Sequence, residues 1–153
     1  MKKGLIAVLF LALFIKAEEI KIDAKKSYAD EANKFIEFTG NVTVVKGEDK
    51  LSADNITLYL DEKGRPLKYV ASGGVFVKVL LNQKFYNAKG DVLTYETQNQ
   101  KYTLKGNAFL SEVDTNRKIY GDIIEANQMN GTYSVEGRDL EPAKFIFQIE
   151  DIK

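Results

Sequence analysis

The sequence predicts an all-β protein, an open and curved β sandwich built from repeated hairpins that are each folded over at a crease. Three observations lead to this prediction. Almost every segment reads as strand, turn, strand; a glycine interrupts a strand at a near-constant interval; and a second phrase, a small residue followed by aspartate, alternates with that glycine. A near-constant period of this length indicates that one supersecondary unit is stacked several times.

The glycine repeat is clearest in YTLKGNAFL, residues 102 to 110, where Gly106 takes an inward position of an alternating strand. Gly40, Gly73 and Gly137 stand in similar phrases, and the intervals between the four glycines are 33, 33 and 31 residues. The fourth copy lacks the apolar residues that follow the glycine in the others. Because glycine inside a strand marks a bulge, a bend or a close backbone approach, we predict that each hairpin folds over at its glycine.

The second phrase places Asp54, Asp91 and Asp122 after a small residue and before an alternating strand. In its first copy the apolar residues change from odd to even positions, which requires a bulge or bend. We therefore predict a crease here as well, on the other arm of each hairpin. Three carboxylates also suggest catalysis or calcium binding. Stacked repeats would place them in a row rather than a ring, so we favour aspartates that bond their own backbone at a bend.

Turns separate the predicted strands, and one short polar segment is a candidate for helix. SYADEANK, residues 27 to 34, is too short and polar for a stable helix, and we expect at most a turn there. The predicted turns are Gly47-Glu48-Asp49, Glu62-Lys63-Gly64, Asn82-Gln83, Gln98-Asn99-Gln100, Asp114-Thr115-Asn116 and Asn130-Gly131.

Folding at the creases turns a flat sheet into two facing layers with an apolar seam between them. The tyrosines at 69, 102 and 133 share a repeat position with Ile36, so we interpret them as core residues rather than as a surface that stacks on a sugar. The predicted seam residues are Ile36, Phe38, Val42, Val44, Ile56, Leu58, Tyr69, Val75, Val77, Leu93, Tyr102, Leu104, Leu110 and Ile124.

The first 17 residues have the pattern of a secretory signal peptide: two lysines, an apolar run and a small final residue, Ala17. The run of 12 residues, 4 to 15, is short for a membrane span, which needs about 20. We therefore predict export and cleavage after Ala17, with an uncleaved membrane anchor as the alternative. Residues 18–153 would form a single domain.

Composition excludes several classes of function. Without the three lysines of the leader, 19 basic and 22 acidic residues remain, and no basic patch is visible, so nucleic acid is not an expected partner. The chain has no cysteine and no histidine, which removes the commonest zinc ligands and the usual acid–base group at neutral pH. We predict no enzymatic activity, no cofactor and no metal.

Two terminal segments alternate cleanly and are predicted to be unpaired sheet edges. They are Glu19 to Ala24, in which Ile20, Ile22 and Ala24 alternate with polar residues, and Lys144 to Ile149, in which Phe145, Phe147 and Ile149 take alternate positions. Exposed edges invite a further strand, and two different edges pair head to tail into an open filament. The sequence therefore predicts end-to-end self-association.

Several ordered phrases resemble the OstA-like family of periplasmic lipopolysaccharide transport proteins, the LptA family. They are FTGNVTVVKGEDKLSADNITLYL (38 to 60), FYNAKGDVLTYE (85 to 96), YTLKGNAFL (102 to 110) and IYGDIIEANQMNGTYSVEG (119 to 137). The resemblance implies a twisted β jelly roll that carries lipopolysaccharide, with the acyl chains of lipid A in the groove between the layers. The twelve seam residues other than the two tyrosines are then the candidate groove.

The resemblance also implies head-to-tail stacking that bridges an inner-membrane LptC-like protein and an outer-membrane LptD-like protein during assembly of the Gram-negative outer membrane. Three alternatives stay open. The chain could be an LptC-like component anchored by its leader, a structural envelope protein without a ligand, or a hydrolase that uses the repeated aspartates. A cleavable leader favours the LptA-like carrier over the anchored component.

Overall fold

The residues that the structure describes form an all-β fold of ten antiparallel strands, and the predicted fold class is confirmed. The computed structural model describes residues 19–81, 83–127 and 129–147, and for Ile20 and Leu81 it describes the backbone alone. In this part of the chain no helix is long and apolar enough to cross a membrane. The strands are β1 (Ile20–Asp23), β2 (Lys26–Asp30), β3 (Phe35–Lys46), β4 (Asp49–Leu60), β5 (Pro66–Leu81), β6 (Lys84–Glu96), β7 (Lys101–Glu112), β8 (Arg117–Asn127), β9 (Thr132–Glu136) and β10 (Lys144–Ile146).

The strands from β3 to β8 pair with their neighbours in chain order and form two layers. At one end, β1 pairs with the second half of β3 and β2 with its first half. At the other end, β10 pairs with the first half of β8 and β9 with its second half. Each long strand therefore contributes one half to each layer. We call the layer that ends in β1 and β10 the upper layer, and the layer that ends in β2 and β9 the lower layer.

The creases that separate the layers are β-bulges at the predicted glycines. In β3, β5 and β7 the register shifts so that two residues oppose one aspartate of the following strand. Both residues of each pair have left-handed φ, a conformation that glycine and asparagine adopt most readily. The pairs are Gly40–Asn41 (φ 90° and 47°), Gly73–Gly74 (83° and 57°) and Gly106–Asn107 (84° and 49°). The predicted crease on the glycine arm is confirmed.

The repeated aspartates lie across these bulges, which corrects the prediction that they bond their own backbone. A Cβ atom on Gly106 would lie 2.9 Å from Asp91 Cβ, and Asp91 Oδ2 accepts a hydrogen bond from Asn107 Nδ2 at 3.2 Å. Asp54 packs against Gly73 in the same way. Asp54 and Asp91 thus occupy the space that a glycine hydrogen leaves open on the next strand.

The fourth copy of the repeat does not form a bulge. β9 ends at Glu136, and Gly137 lies against the backbone of residues 141–143, where the chain returns toward β10. Asp122, in the matching aspartate position, binds Arg138 Nε at 3.0 Å. The loss of the apolar residues after Gly137 therefore coincides with the end of the lower layer.

Two local predictions are wrong. SYADEANK contributes to strand β2, and only residues 31–34 form a turn, because pairing with β3 supplies backbone partners that a polar sequence does not reveal. The Asp30 carboxylate accepts hydrogen bonds from the Asn33 backbone and side chain, both at 2.9 Å, and closes that turn. Tyr133 is not a core residue: it lies on edge strand β9 and is 63% exposed.

The main core lies between the layers, beside the creases. Contact between the layers is direct there, because a Cβ atom on Gly90 of the upper layer would lie 2.8 Å from Leu104 Cγ of the lower layer. The buried residues of this core are Val42, Ala53, Ile56, Ala71, Val75, Leu93, Leu104, Ala108 and Ile124. A smaller cluster contains Ile36, Leu58 and Leu60.

Candidate ligand-binding cavity between the layers

A cavity of about 170 Å³ lies between the layers, on the side away from the creases. We call this open side of the sandwich, between the outer ends of the two layers, the mouth. The upper layer contributes Ile22, Val44, Lys46, Asp49, Lys50, Leu51, Val77 and Val79, and the lower layer contributes Phe38, Ile56, Leu58, Tyr69, Leu93 and Tyr102. Most of these side chains are apolar, so the cavity suits hydrocarbon.

Strand pairing brings the lining residues into rows. Residues directly opposite each other on paired strands share a face of the sheet. Ile22 pairs with Val44, Val44 with Leu51, and Leu51 with Val77, which gives one continuous apolar row across the upper layer. Ile56 and Leu93 belong to the facing row of the lower layer.

The structure separates the twelve candidate groove residues into two sets. Those that line the cavity are Phe38, Val44, Ile56, Leu58, Val77 and Leu93. The other six are Ile36, Val42, Val75, Leu104, Leu110 and Ile124. Ile36 is buried in the small cluster, and Leu110 packs against the main core. The remaining four residues are buried within the main core. Alternation along the strands identified the inward face but could not identify which inward residues meet an open space. The assignment of a ligand to either set stays a prediction.

Three tyrosines form a stacked row in the lower layer at the level of the mouth. Tyr69 is paired with Tyr95, and Tyr95 with Tyr102; their ring centroids are 5.2 Å and 4.3 Å apart. We call these three residues the tyrosine ladder. Burial raises the pKa of Tyr69 well above its usual value, that of Tyr102 to about 12, and that of Tyr95. The side chains of Tyr69 and Tyr102 both line the cavity.

Charged residues form the opposite lip of the mouth, in the upper layer. Lys46 is paired with Asp49 across the β3–β4 hairpin, and both line the cavity. The Asp49 carboxylate accepts a hydrogen bond from the Leu80 backbone at 2.9 Å. It also adds to the rise of the Tyr102 pKa, after burial and Tyr95, which places its charge near the tyrosine ladder.

Farther along the upper layer, Glu112 is a buried carboxylate, 6% exposed, at the end of β7. Its oxygens lie 3.1 Å from Lys84 Nζ and 3.7 Å from Arg117 Nη1, and Thr115 donates a hydrogen bond at 2.9 Å. The hydrogen bonds from Lys84 and Thr115 hold the pKa of Glu112 below its usual value. These contacts tie the β5–β6 and β7–β8 turns together.

Sequence reasoning missed the polar lip and the continuation of the apolar row. Lys46 follows Val42 and Val44 at the two-residue interval of an inward face, and Val79 follows Val75 and Val77 in the same way. Their positions were therefore readable from the alternation. Lys46 was not among the predicted groove residues because only apolar residues were considered for the groove.

The two predicted edges lie at opposite ends of the upper layer. Ile22 of β1 packs against the main core, while Phe145 of β10 is 48% exposed. β10 is shorter than predicted and ends at Ile146, so Phe147, 56% exposed, follows the strand. Ile149 lies outside the described residues, as do the predicted signal peptide and Asn82, and the side chain of Ile20 is not described.

The described residues contain no group of three or more acidic side chains that could hold a metal ion. The aspartates of the repeat are spread over alternate strands, β4, β6 and β8. Asp54 and Asp91 pack against the next strand, and Asp122 binds Arg138. The arrangement around the cavity can bind an apolar ligand and orient its polar end.

Comparison with known proteins identifies relatives along most of the chain. A family model described as "LptA/(LptD N-terminal domain) LPS transport protein" matches residues 21–132, more than half of the chain. The lipopolysaccharide export system protein LptA of Escherichia coli strain K12 is 28% identical over 141 residues, which cover 88% of this chain and 75% of that protein. LptA of Shigella flexneri matches with the same identity and coverage.

A solved structure shares the fold. LptH, the LptA homologous periplasmic component of the lipopolysaccharide transport device from Pseudomonas aeruginosa, superposes with a TM-score of 0.72. The match covers 86% of this chain and 96% of that chain at 15% identity. With the two creased layers and the apolar cavity between them, the family match leads to one conclusion: this chain belongs to the LptA/LptD amino-terminal-domain family of lipopolysaccharide transport proteins.

Proposed function

We propose that this protein is a non-enzymatic periplasmic carrier that binds lipopolysaccharide by its acyl chains, between the two layers of the sandwich. The observation that carries the proposal is the cavity between the layers, which apolar side chains line and a polar lip borders. Membership in a family of lipopolysaccharide transport proteins identifies the ligand class. Transfer of apolar surface out of water supplies about 25 cal/mol per Å² and requires no covalent chemistry.

The size of the cavity implies that the layers separate when the ligand enters. An apolar cavity of about 150 Å³ accommodates benzene, and the cavity here, about 170 Å³, is of similar size. A lipid with several acyl chains needs much more space. The main core beside the creases would act as the fixed side, and the mouth would widen.

Photocrosslinking provides the direct test of the acyl-chain site. A photoreactive residue at Val44 or Leu58, both in the cavity lining, should crosslink to lipopolysaccharide in cells. The matched controls are Thr43 and Thr57, the preceding residues on the same strands, whose side chains point to the opposite face. Equal crosslinking at all four positions, or crosslinks to protein alone, would contradict the proposal and favour a structural envelope protein.

Mass spectrometry gives an independent measurement. Lipid extracted from the protein after expression in a lipopolysaccharide-producing cell should contain lipid A. A preparation that carries no lipid A under conditions where the crosslink forms would limit the interaction to a transient encounter. The pattern of extracted species would also identify the preferred lipid A.

We propose further that copies of the chain stack end to end and that the ends of the stack meet related domains. The amino-terminal edge strands β1 and β2 and the carboxy-terminal strands β9 and β10 are different surfaces, so their contact is heterologous and propagates. The matching family includes the amino-terminal domain of LptD, which supports an LptD-like partner at one end. An LptC-like partner would occupy the other end.

Removal of residues 144–153 tests this stacking. Light scattering should show loss of concentration-dependent oligomers, while circular dichroism retains the strand signal, because β10 pairs with β8 over three residues only. Unchanged oligomers would contradict the stacking model. Amino-terminal sequencing of the exported protein decides between a cleaved leader and the anchored, LptC-like alternative.

A further inference from the structure

We propose that the tyrosine ladder recognises neutral oxygen atoms at the top of a bound acyl chain, the carbonyl of an ester or amide link or a hydroxyl on the chain itself. This inference rests on the proposed function and deepens it. It names the part of the lipid that contacts Tyr69 and Tyr102. These two residues would then determine specificity by hydrogen bonding, in addition to the apolar contact that their rings provide.

The ladder lies at the boundary between hydrocarbon and polar surroundings. Tyr69 and Tyr102 line the cavity one row nearer the mouth than Ile56 and Leu93. Across the mouth is the charged lip that contains Asp49. A lipid whose chains lie deep and whose head group lies outside has its acyl linkages at this level. Tyrosine suits such a boundary because its ring is apolar and its hydroxyl is polar.

The hydroxyls of the ladder are equipped to bind neutral groups. A phenol is both a donor and an acceptor, and the raised pKa values keep all three phenols protonated well above neutral pH. A carbonyl or hydroxyl oxygen of the ligand can accept a hydrogen bond from one of these phenols, and its own burial then costs less because it is hydrogen-bonded.

Asp49 favours a neutral partner over an anionic one. Its carboxylate is held by the Leu80 backbone and is near enough to contribute to the raised pKa of Tyr102. A phosphate or free carboxylate beside Tyr102 would meet this like charge, which is unfavourable. Lys46 and Lys50, the cations that line the same cavity, are better partners for the phosphates of a lipopolysaccharide, and the acyl linkages would then meet the ladder.

The test compares two probes on hydroxyl-deletion variants. Tyr69→Phe, Tyr102→Phe and the double variant remove hydroxyls and keep the rings; Tyr59→Phe, on the outer face of the same layer, is the matched control. The probes are purified lipopolysaccharide and diphenylhexatriene, a hydrocarbon that has no oxygen. We expect about a fivefold loss of lipopolysaccharide affinity per hydroxyl, the usual effect of one neutral hydrogen bond, and unchanged diphenylhexatriene binding.

The outcomes separate this inference from the proposed function. A double variant that binds lipopolysaccharide as tightly as the unaltered protein overturns the role of the ladder and leaves the carrier function intact. A parallel loss of both probes also overturns it, because the hydroxyls would then support the shape of the cavity alone. An unaltered protein that binds no lipopolysaccharide would refute the carrier function itself, and the inference with it.

Discussion

The two layers touch beside the creases and separate toward the mouth, although the same long strands run through both regions. Beside the creases the facing residues are small and almost fully buried: Val42 is 1% exposed, Ala71 0%, and Ala108 2%. Toward the mouth the inward residues are larger or charged, such as Tyr69 and Lys46, and a cavity lies between them. Side-chain size, and not strand pairing, therefore sets the gap between the layers at each distance from the crease.

The largest effect should come from a charge in the closed region. Leu104→Asp places an unpaired carboxylate in the main core, where Leu104 is 5% exposed and packs against Gly90. The loss of packing and the buried charge together should cost about 4 kcal/mol or more. Thermal unfolding followed by circular dichroism should show an unfolded or barely folded protein. Lys105→Asp, one residue away and exposed, is the control, and a well-folded Leu104→Asp would contradict the closed core.

The next effect concerns the crease itself. Gly106→Val forces a β-branched residue into left-handed φ, and its Cβ would press on the Asp91 side chain. We expect a loss of about 3 kcal/mol in the free energy of unfolding, measured in urea. Gly74→Asn is the control: a Cβ there meets nothing within 4 Å, and Asn41 and Asn107 already occupy equivalent positions. Equal stability of the two variants would refute the role assigned to the glycine.

At the mouth, the tyrosine ladder makes stability depend on high pH. The unfolded chain releases tyrosine protons near pH 10, whereas the folded protein retains that of Tyr102 until about pH 12. The folded state therefore binds more protons in this interval, and stability falls as pH rises from 10 toward 12 and is unaffected below. The raised pKa of Tyr102 alone should lower the free energy of unfolding by about 2 to 3 kcal/mol over this interval. Urea unfolding across this range should show the slope, and Tyr102→Phe should reduce it without abolishing it, because the pKa values of Tyr69 and Tyr95 are also raised.

The smallest effect should come from a charge in the cavity. Val44→Asp replaces a half-buried residue of the lining, where water can reach the carboxylate through the mouth. We expect about 1 to 2 kcal/mol loss of stability, a retained fold and a loss of lipopolysaccharide binding. The quantity to compare is the loss of stability in Val44→Asp and in Leu104→Asp. If both substitutions unfold the protein, the cavity is part of the closed core and the comparison of the two regions fails.

The creases could be predicted because left-handed φ restricts the choice of residue so strongly that glycine recurs at the same place. Asn41 and Asn107 complete two of the bulges because asparagine also tolerates this φ, but they were not among the predicted crease residues. The cavity could not be predicted. Alternation indicates which face Val44 and Leu104 share, but it contains no information on how far apart the layers lie. β2 was missed because all but one of its side chains are exposed and only its pairing with β3 makes it a strand.

The spacing of the bulges also makes the length of the groove modular. Residues 74–106 form one complete unit of 33 residues, from just after one bulge glycine to the next. Their removal would join Gly73 to Asn107 and recreate the glycine–asparagine pair found in β3 and β7. Both layers would lose two strands together, and the groove would shorten by about 9 to 10 Å, two strand spacings. Changes in the length of such a carrier would then come in whole units, since any smaller change would misalign the crease.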